Sequence, residues 1–354
     1  MAGSVEVSPA LVGVLYDFPQ ADGGALFEDA LRLGLETSRR SFDRPVELLS
    51  VHGRGLPSGT AHEIERGFEQ LTDAGVLAVV GPSISDNALV VQPLADDLAV
   101  PCINYSGGER TRSHWMFHYQ VGSLQEEPMV LAGHLAGRGL KSVALAHDRS
   151  AVGRLYAEAF SEACASEGVE LLSSAPVSPL AEDLAPLVQR LRSSGAESLC
   201  YLGLGVAARA LALAVADETW DVPVVANSAL MFGYGRKDWR EGWEGWVYVD
   251  TVSDANAERA ALRERAPRSA AGPIGVAAYD MGRLLGAAFE RTSHLTRHGV
   301  HEALESVKAL PAASGSPGTV MGFGPWDHGA LKGPYLVLRT WRGGRTVEYV
   351  DTPG

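Results

Sequence analysis

The sequence predicts an α/β protein whose chain makes two rounds of strand–helix alternation, each giving a parallel sheet covered on both faces. Three observations carry this expectation. Apolar runs of strand length alternate with amphipathic stretches of helix length through most of the chain, the order that builds parallel sheets. The 354 residues, 46% hydrophobic and 21% charged, suffice for two folded domains. The stretch Val80–Glu109, VGPSISDNALVVQPLADDLAVPCINYSGGE, reads as two successive strand–turn–helix units. Its turns hold small hydroxyl and glycine residues where a parallel sheet presents strand ends and free helix N–H groups. This stretch is expected to clamp the polar end of a small molecule rather than to catalyse a reaction.

Leu11–Tyr16 is the first core strand, and Phe27, Ala30, Leu31, Gly34 and Leu35 then recur at helical spacing. Val46–Val51 is a second strand and Thr60–Ala74 a second amphipathic helix. The organising stretch adds two strands and the helix Asp86–Leu98. Beyond a polar loop at Gly107–His118 the alternation restarts: helices at Leu124–Gly139, Val152–Gly168, Glu182–Ser193 and Val206–Asp217 separate strands at Ser142–Ala146, Val169–Leu172, Ser198–Leu202 and Val222–Ala226. A domain boundary is therefore expected near Val121–Ser123. Trp246–Val252 returns the chain toward the first domain, and Ala277, Met281, Leu284, Leu285 and Ala288 mark a strong helix stripe. The last quarter turns to hairpins, with a turn at Arg342-Gly343-Gly344.

Composition excludes several classes. A net charge of −13 opposes nucleic-acid binding, which needs a basic surface. No run of about 18 apolar residues exists to span a membrane. Cys102, Cys164 and Cys200 lack metal-ligand spacing and are expected to be buried free thiols. The start, MAGSVEVSPALVGVLYD, has no basic and apolar leader pattern. It predicts a cytoplasmic location as written, or an extracytoplasmic one if the native chain starts upstream of Met1. Enzyme signatures are missing too. His114 and His118 stand four apart outside a helix, and Gly203-Leu204-Gly205 lacks the third glycine of a dinucleotide loop. Neither a metal nor a cofactor is expected.

Several motifs, in order along the chain, resemble the branched-chain amino-acid solute-binding family of the type I periplasmic-binding-protein fold. They are Gly81-Pro82-Ser83 through Ser106-Gly107-Gly108, His147-Asp148 with Gly153, and Ala278-Tyr279-Asp280. The strongest is Thr319-Val320-Met321-Gly322 with Trp326-Asp327, Gly329, Leu331-Lys332-Gly333 and Trp341. The resemblance implies two doubly wound parallel-sheet lobes joined by three crossovers, with a ligand cleft between them that closes about a hinge. The lobes would be residues 8–121 plus 253–326, and residues 122–252 plus 327–354. It also implies a small-molecule ligand and ABC permease subunits as partners. The missing leader supports an alternative, a cytoplasmic sensor of the same fold that regulates a partner protein, and an accessory module that scavenges an organic acid is a third reading.

Carried over by position, Ser85, Ser106 and Gly108 match the first-lobe residues that hold a ligand carboxylate, with Ser83 and Tyr105 beside them and Phe18 on the cleft wall. The alternative for Ser83 and Ser85 is capping of the following helix. The second lobe departs from the family: its tyrosine falls at Val152, an aromatic position near Leu204, and the acid that pairs with a ligand ammonium at or next to Ser228. A buried ammonium without its carboxylate costs about 3–5 kcal/mol. The expected ligand is therefore a carboxylate or amide rather than a standard α-amino acid, unless Asp17 or Asp250 supplies the charge.

Overall fold

The computed structural model describes residues 8–18, 24–38, 42 and 44–350. The first round of alternation comprises β1 (Ala10–Tyr16), α1 (Ala25–Ser38), β2 (Val46–His52), α2 (Ala61–Asp73), β3 (Ala78–Val80), α3 (Ser85–Asp97), β4 (Cys102–Asn104) and β5 (Met116–His118). These strands pair in parallel in the order β2-β1-β3-β4-β5. The second round comprises α4 (Glu126–Gly137), β6 (Ser142–Asp148), α5 (Ala151–Glu167), β7 (Glu170–Val177), α6 (Ala185–Arg192), β8 (Leu199–Leu202), α7 (Ala208–Asp217), β9 (Val224–Ala226) and β10 (Val247–Asp250). Its parallel order, β7-β6-β8-β9-β10, repeats the topology of the first sheet. The strands β14 (Val337–Arg342) and β15 (Arg345–Glu348), joined by Gly343-Gly344, extend this sheet antiparallel to β10.

Between β10 and β14 the chain forms α8 (Ala257–Arg265), α9 (Pro273–Arg291) and α10 (Arg297–Ser306), then a small antiparallel sheet of β11 (Leu310–Pro311), β12 (Val320–Met321) and β13 (Leu331–Lys332). The chain therefore passes between the two sheets three times: after β5, after β10, and between β13 and β14. Helices cover both faces of each sheet, as strands buried on both sides require. On the first sheet α1, α9 and α10 bury one face, where Leu31, Leu35, Met281, Leu284 and Leu285 meet Val12 and Val14. The other face meets Ile64, Phe68 and Leu71 of α2. Core residues Ala330, Leu331 and Tyr335 belong with the first sheet, so the third passage falls just before Val337. The second sheet is buried by α6 and α7 on one face and by α4 and α5 on the other. Trp220, Trp243, Trp246 and Trp341 fill its core.

Local chemistry sets the helix ends. Thr60 accepts the Glu63 amide at the start of α2, and Ser150 accepts the Gly153 amide at the start of α5. Helices α1 and α9 touch backbone to backbone. A Cβ at Gly34 would stand 2.1 Å from the Tyr279 carbonyl oxygen, and one at Gly282 would stand 2.2 Å from that of Leu31. Gly34→Ala is therefore expected to cost about 1–3 kcal/mol in urea denaturation, because neither backbone can yield. Gly133→Ala is the contrast: nothing lies within 4 Å of its Cβ in α4. It should stabilise by about 0.5–1 kcal/mol. Equal effects at the two sites would contradict this packing. Cys102, Cys164 and Cys200 are buried free thiols, as expected.

Candidate functional site

In both sheets the strand where the order reverses ends in an aspartate: Asp17 follows β1, and Asp148 closes β6. Such switch points are where open parallel sheets bind ligands. The two carboxylates are used differently. Asp17 accepts from the Ser83 amide (2.9 Å), the Ser83 hydroxyl (2.7 Å), the Ile84 amide (2.8 Å) and Asn87 Nδ2 (2.9 Å). It is consumed in fixing the turn between β3 and α3. Among the described residues Asp148 accepts only from the Tyr201 hydroxyl (2.9 Å) and the Leu204 amide (2.6 Å), which leaves acceptor capacity on both oxygens.

A cavity of about 480 Å³ lies between the two switch points. One wall carries Ser83, Ile84, Ser85 and Asp86 from the start of α3; the other carries Asp148, Val152 and Gly153 from the start of α5, with Leu204 and Ser228 after β8 and β9. Two helix N-termini thus face one volume, and Ile84 gives α3 no side-chain cap. The Ser85 hydroxyl makes no hydrogen bond among the described residues. Capping by Ser83 and Ser85, the alternative expected from sequence, does not occur: Ser83 donates to Asp17, and Ser85 is the first helical residue. Across the cavity, Asp86 Oδ1 accepts the Val152 amide at 3.4 Å, the contact that ties α3 to α5.

Charge in this cavity is predominantly negative. Asp86 and Asp148 line it, with the exposed Arg149 as the basic residue. Burial, with the Asp86 charge adding to it, pushes the Asp148 carboxyl up to about 6. Burial likewise raises Asp86, against the hydrogen bond from Val152. A cation or hydrogen-bond donor entering here would relieve both.

Of the residues expected from sequence, Ser83, Ser85, Val152, Leu204 and Ser228 surround this cavity. Phe18 and Tyr105 line a neighbouring chamber of about 500 Å³, which shares Ser83, Met231 and Phe232 with the first. Ser106 and Gly108 line neither, although Gly107 lines the first. The Ser106 hydroxyl is buried and donates to Asn104 Oδ1, and Gly108 lies against the Ser85 side chain.

Three acids were missed or misjudged in the sequence. Asp148 stands on the second-lobe wall that was expected to lack a carboxylate, and Asp86 faces it from the start of α3. Glu127, fully buried at the start of α4, reaches under Ser228: Oε2 accepts the Ser228 amide (2.6 Å), and Oε1 accepts the Ser228 hydroxyl (2.9 Å) and the Ser123 amide (2.6 Å). The Tyr156 hydroxyl adds a bond of 3.2 Å to Oε1. The suggested substitutes do not reach the cavity. Asp17 is saturated as described, and Asp250 binds the Thr251 amide and the Tyr234 hydroxyl.

Two doubly wound lobes with a polar-ended cavity between their strand ends define a ligand-binding protein of the two-lobe type. The profile of the family described as "Periplasmic binding protein" matches residues 11–344, and the chain belongs to that family. No curated protein matches the chain. Among solved structures it is similar to a type 1 periplasmic binding protein from Bordetella pertussis Tohama I, with 15% identity, TM-score 0.81, and 97% of this chain and 100% of that one covered. It is also similar to the leucine-binding protein LivK from Thermotoga maritima, with 14% identity, TM-score 0.81, and 96% and 98% covered. An ABC transporter substrate-binding protein from Desulfitobacterium hafniense in complex with Leu matches with 17% identity, TM-score 0.79, and 97% and 100% covered. At these identities the likeness establishes the type I fold. No helix among the described residues is long and apolar enough to cross a membrane.

Proposed function

We propose that this chain is a solute-binding protein that captures a small amphipathic molecule between its two lobes and presents it to the permease of an ABC transporter. The observation that carries the reading is the cavity between the α3 and α5 N-termini, apolar over Val121, Val152, Leu204 and Met231 and acidic at Asp86 and Asp148. An oxygen of the ligand, carboxylate or amide, is assigned to the Ser85 hydroxyl and the uncapped start of α3. A donor or ammonium group is assigned to Asp148 and Asp86. Ser228 stands where an acid would pair with a ligand ammonium, which by itself favours a ligand without one. With two carboxylates facing the cavity from opposite walls, an amine-bearing ligand of branched-chain amino-acid size fits better. Closure would turn the lobes about the three chain passages, with the Asp86–Val152 contact joining them on the ligand side.

A thermal-shift screen against leucine, its deaminated keto acid, simple amides and aryl carboxylates tests the ligand class. A ligand at about 100 times its Kd stabilises by roughly 2.7 kcal/mol. Leucine, or another amine-bearing compound, is expected to raise the Tm while the keto acid does not. A shift by the keto acid alone would show that Asp86 and Asp148 do not select the ligand.

A further inference from the structure

On the first lobe, α10 carries His301 and Glu305 one turn apart, on one helix face. His328, in the connection between β12 and β13, meets them from the side. We propose that His301, Glu305 and His328 bind one divalent transition-metal ion, zinc by preference.

Hydrogen bonding makes the case. His328 Nδ1 lies 2.7 Å from the Ser113 carbonyl oxygen, an acceptor that requires N–H on that nitrogen. Its Nε2 lies 3.1 Å from Glu305 Oε1, which is also an acceptor. With Nδ1 donating to Ser113, the neutral imidazole turns its Nε2 lone pair toward the carboxylate, two ligand atoms that one cation can bridge. The spacing suits a metal: two ligands about 2.0–2.1 Å from a tetrahedral ion stand about 3.3 Å apart. His301 completes the set, the three ligand atoms lying within 4.8 Å of one another. Its Nε2 is 2.8 Å from the His114 carbonyl oxygen. The His328 imidazole is thus oriented by a backbone carbonyl on the nitrogen away from Glu305, the support that metal-binding histidines ordinarily have. His301 Nε2 is also its nitrogen nearest Glu305, at 3.9 Å, so ligation through it would replace the His114 bond.

The surroundings agree. His301 and His328 are 5% and 6% exposed, so binding need not compete with open water on every side. Their rings are held by Trp115 and Phe117, at centroid distances of 4.4 and 4.2 Å. Nearby cations are already engaged: Arg112 pairs with Asp327 at 3.3 Å, and Lys308 binds the carbonyls of Glu305 and Phe323. Two imidazoles and one carboxylate favour zinc, nickel or copper over magnesium or calcium, and a water would fill the fourth position. The ion would fasten α10 to the β12–β13 connection.

The test is a titration of chelator-stripped full-length protein with Zn²⁺ against a chromogenic chelator. One ion per chain is expected. Glu305→Gln and His328→Asn should each weaken it by more than about 100-fold, beyond what losing a supporting hydrogen bond costs. His62→Asn, at an exposed His62–Glu65 pair, should leave it unchanged. Co²⁺ loaded into the wild-type protein should give the visible bands of a four-coordinate nitrogen–oxygen site, a readout that needs no variant to fold. Absence of stoichiometric Zn²⁺ binding, or wild-type affinity in the Glu305 and His328 variants, would overturn the proposal.

Discussion

Asp280→Ala is expected to destabilise the protein by about 3–5 kcal/mol, the range for removing one partner from a buried charged network. Asp280 lies in the middle of α9 and is fully buried. Its Oδ2 accepts from the Tyr119 hydroxyl (2.7 Å), the Ala313 amide (2.9 Å) and the Ser314 amide (3.1 Å), while Oδ1 faces Arg283 Nη1 at 3.3 Å. One carboxylate therefore ties α9 to the strand end before the first chain passage and to the loop beside the second, where Gly315 donates to the Thr251 carbonyl. Without it, the Ala313 and Ser314 amides lose their acceptor, while the Tyr119 hydroxyl and Arg283 keep Ser314 Oγ and the Pro311 carbonyl, respectively. Asp280→Asn keeps one oxygen and should lose less, about 1–3 kcal/mol. Urea denaturation at neutral pH reads both; a loss under about 1 kcal/mol for the alanine variant would mean that water or rearrangement satisfies those groups.

Glu127→Ala should cost a comparable amount, about 3–5 kcal/mol, because four donors converge on this buried carboxylate. Glu127→Gln is not an innocent replacement: one of its termini must point an NH₂ at an N–H of Ser228 or Ser123, and about 1–3 kcal/mol is expected to be lost. The pH dependence separates the carboxylate from mere volume. Burial raises the Glu127 carboxyl to about 7 from an ordinary 4.5. Over that interval the folded protein retains a proton that the unfolded chain has released. The stability from this group is full below about 4.5 and is lost as pH rises through about 7. Asp148, raised to about 6 from 3.8, acts in the same direction. Ligand-free wild type should therefore lose roughly 3 kcal/mol from Glu127 alone between those limits, and Glu127→Gln should flatten that slope. A Tm that falls equally in both over the interval would show that the shift is not carried by Glu127.

The order of elements was legible because each strand and helix announces itself over five to fifteen residues: VLAVV before Gly81 and the α9 stripe are local signals. The resemblance was legible through short motifs in order, and Asp280 within Ala-Tyr-Asp proved to be a structural tie. The acids of the cavity were not legible. Asp148 matters because β6 is the reversal strand of its sheet, a property of pairing and not of neighbouring residues. Glu127 reads locally as an ordinary acid in the first turn of a helix, where the dipole favours it. Its partner Ser228 lies 101 residues away in sequence. The cleft acid was sought in the segment around Ser228, whereas the carboxylates that line the cavity come from α3 and β6, with Glu127 of α4 buried beneath Ser228.

The measurement that bears most directly on the central claim is calorimetric titration of the best ligand from the screen into wild-type protein and into Val152→Trp. Val152 is the second residue of α5 and lines the cavity opposite α3, so an indole there would occupy the space assigned to the ligand. The account predicts that affinity falls by more than about 100-fold, near 3 kcal/mol, with the unliganded Tm little changed. Unchanged affinity in a folded Val152→Trp variant would place the ligand elsewhere and contradict the assignment of this cavity as the binding cleft.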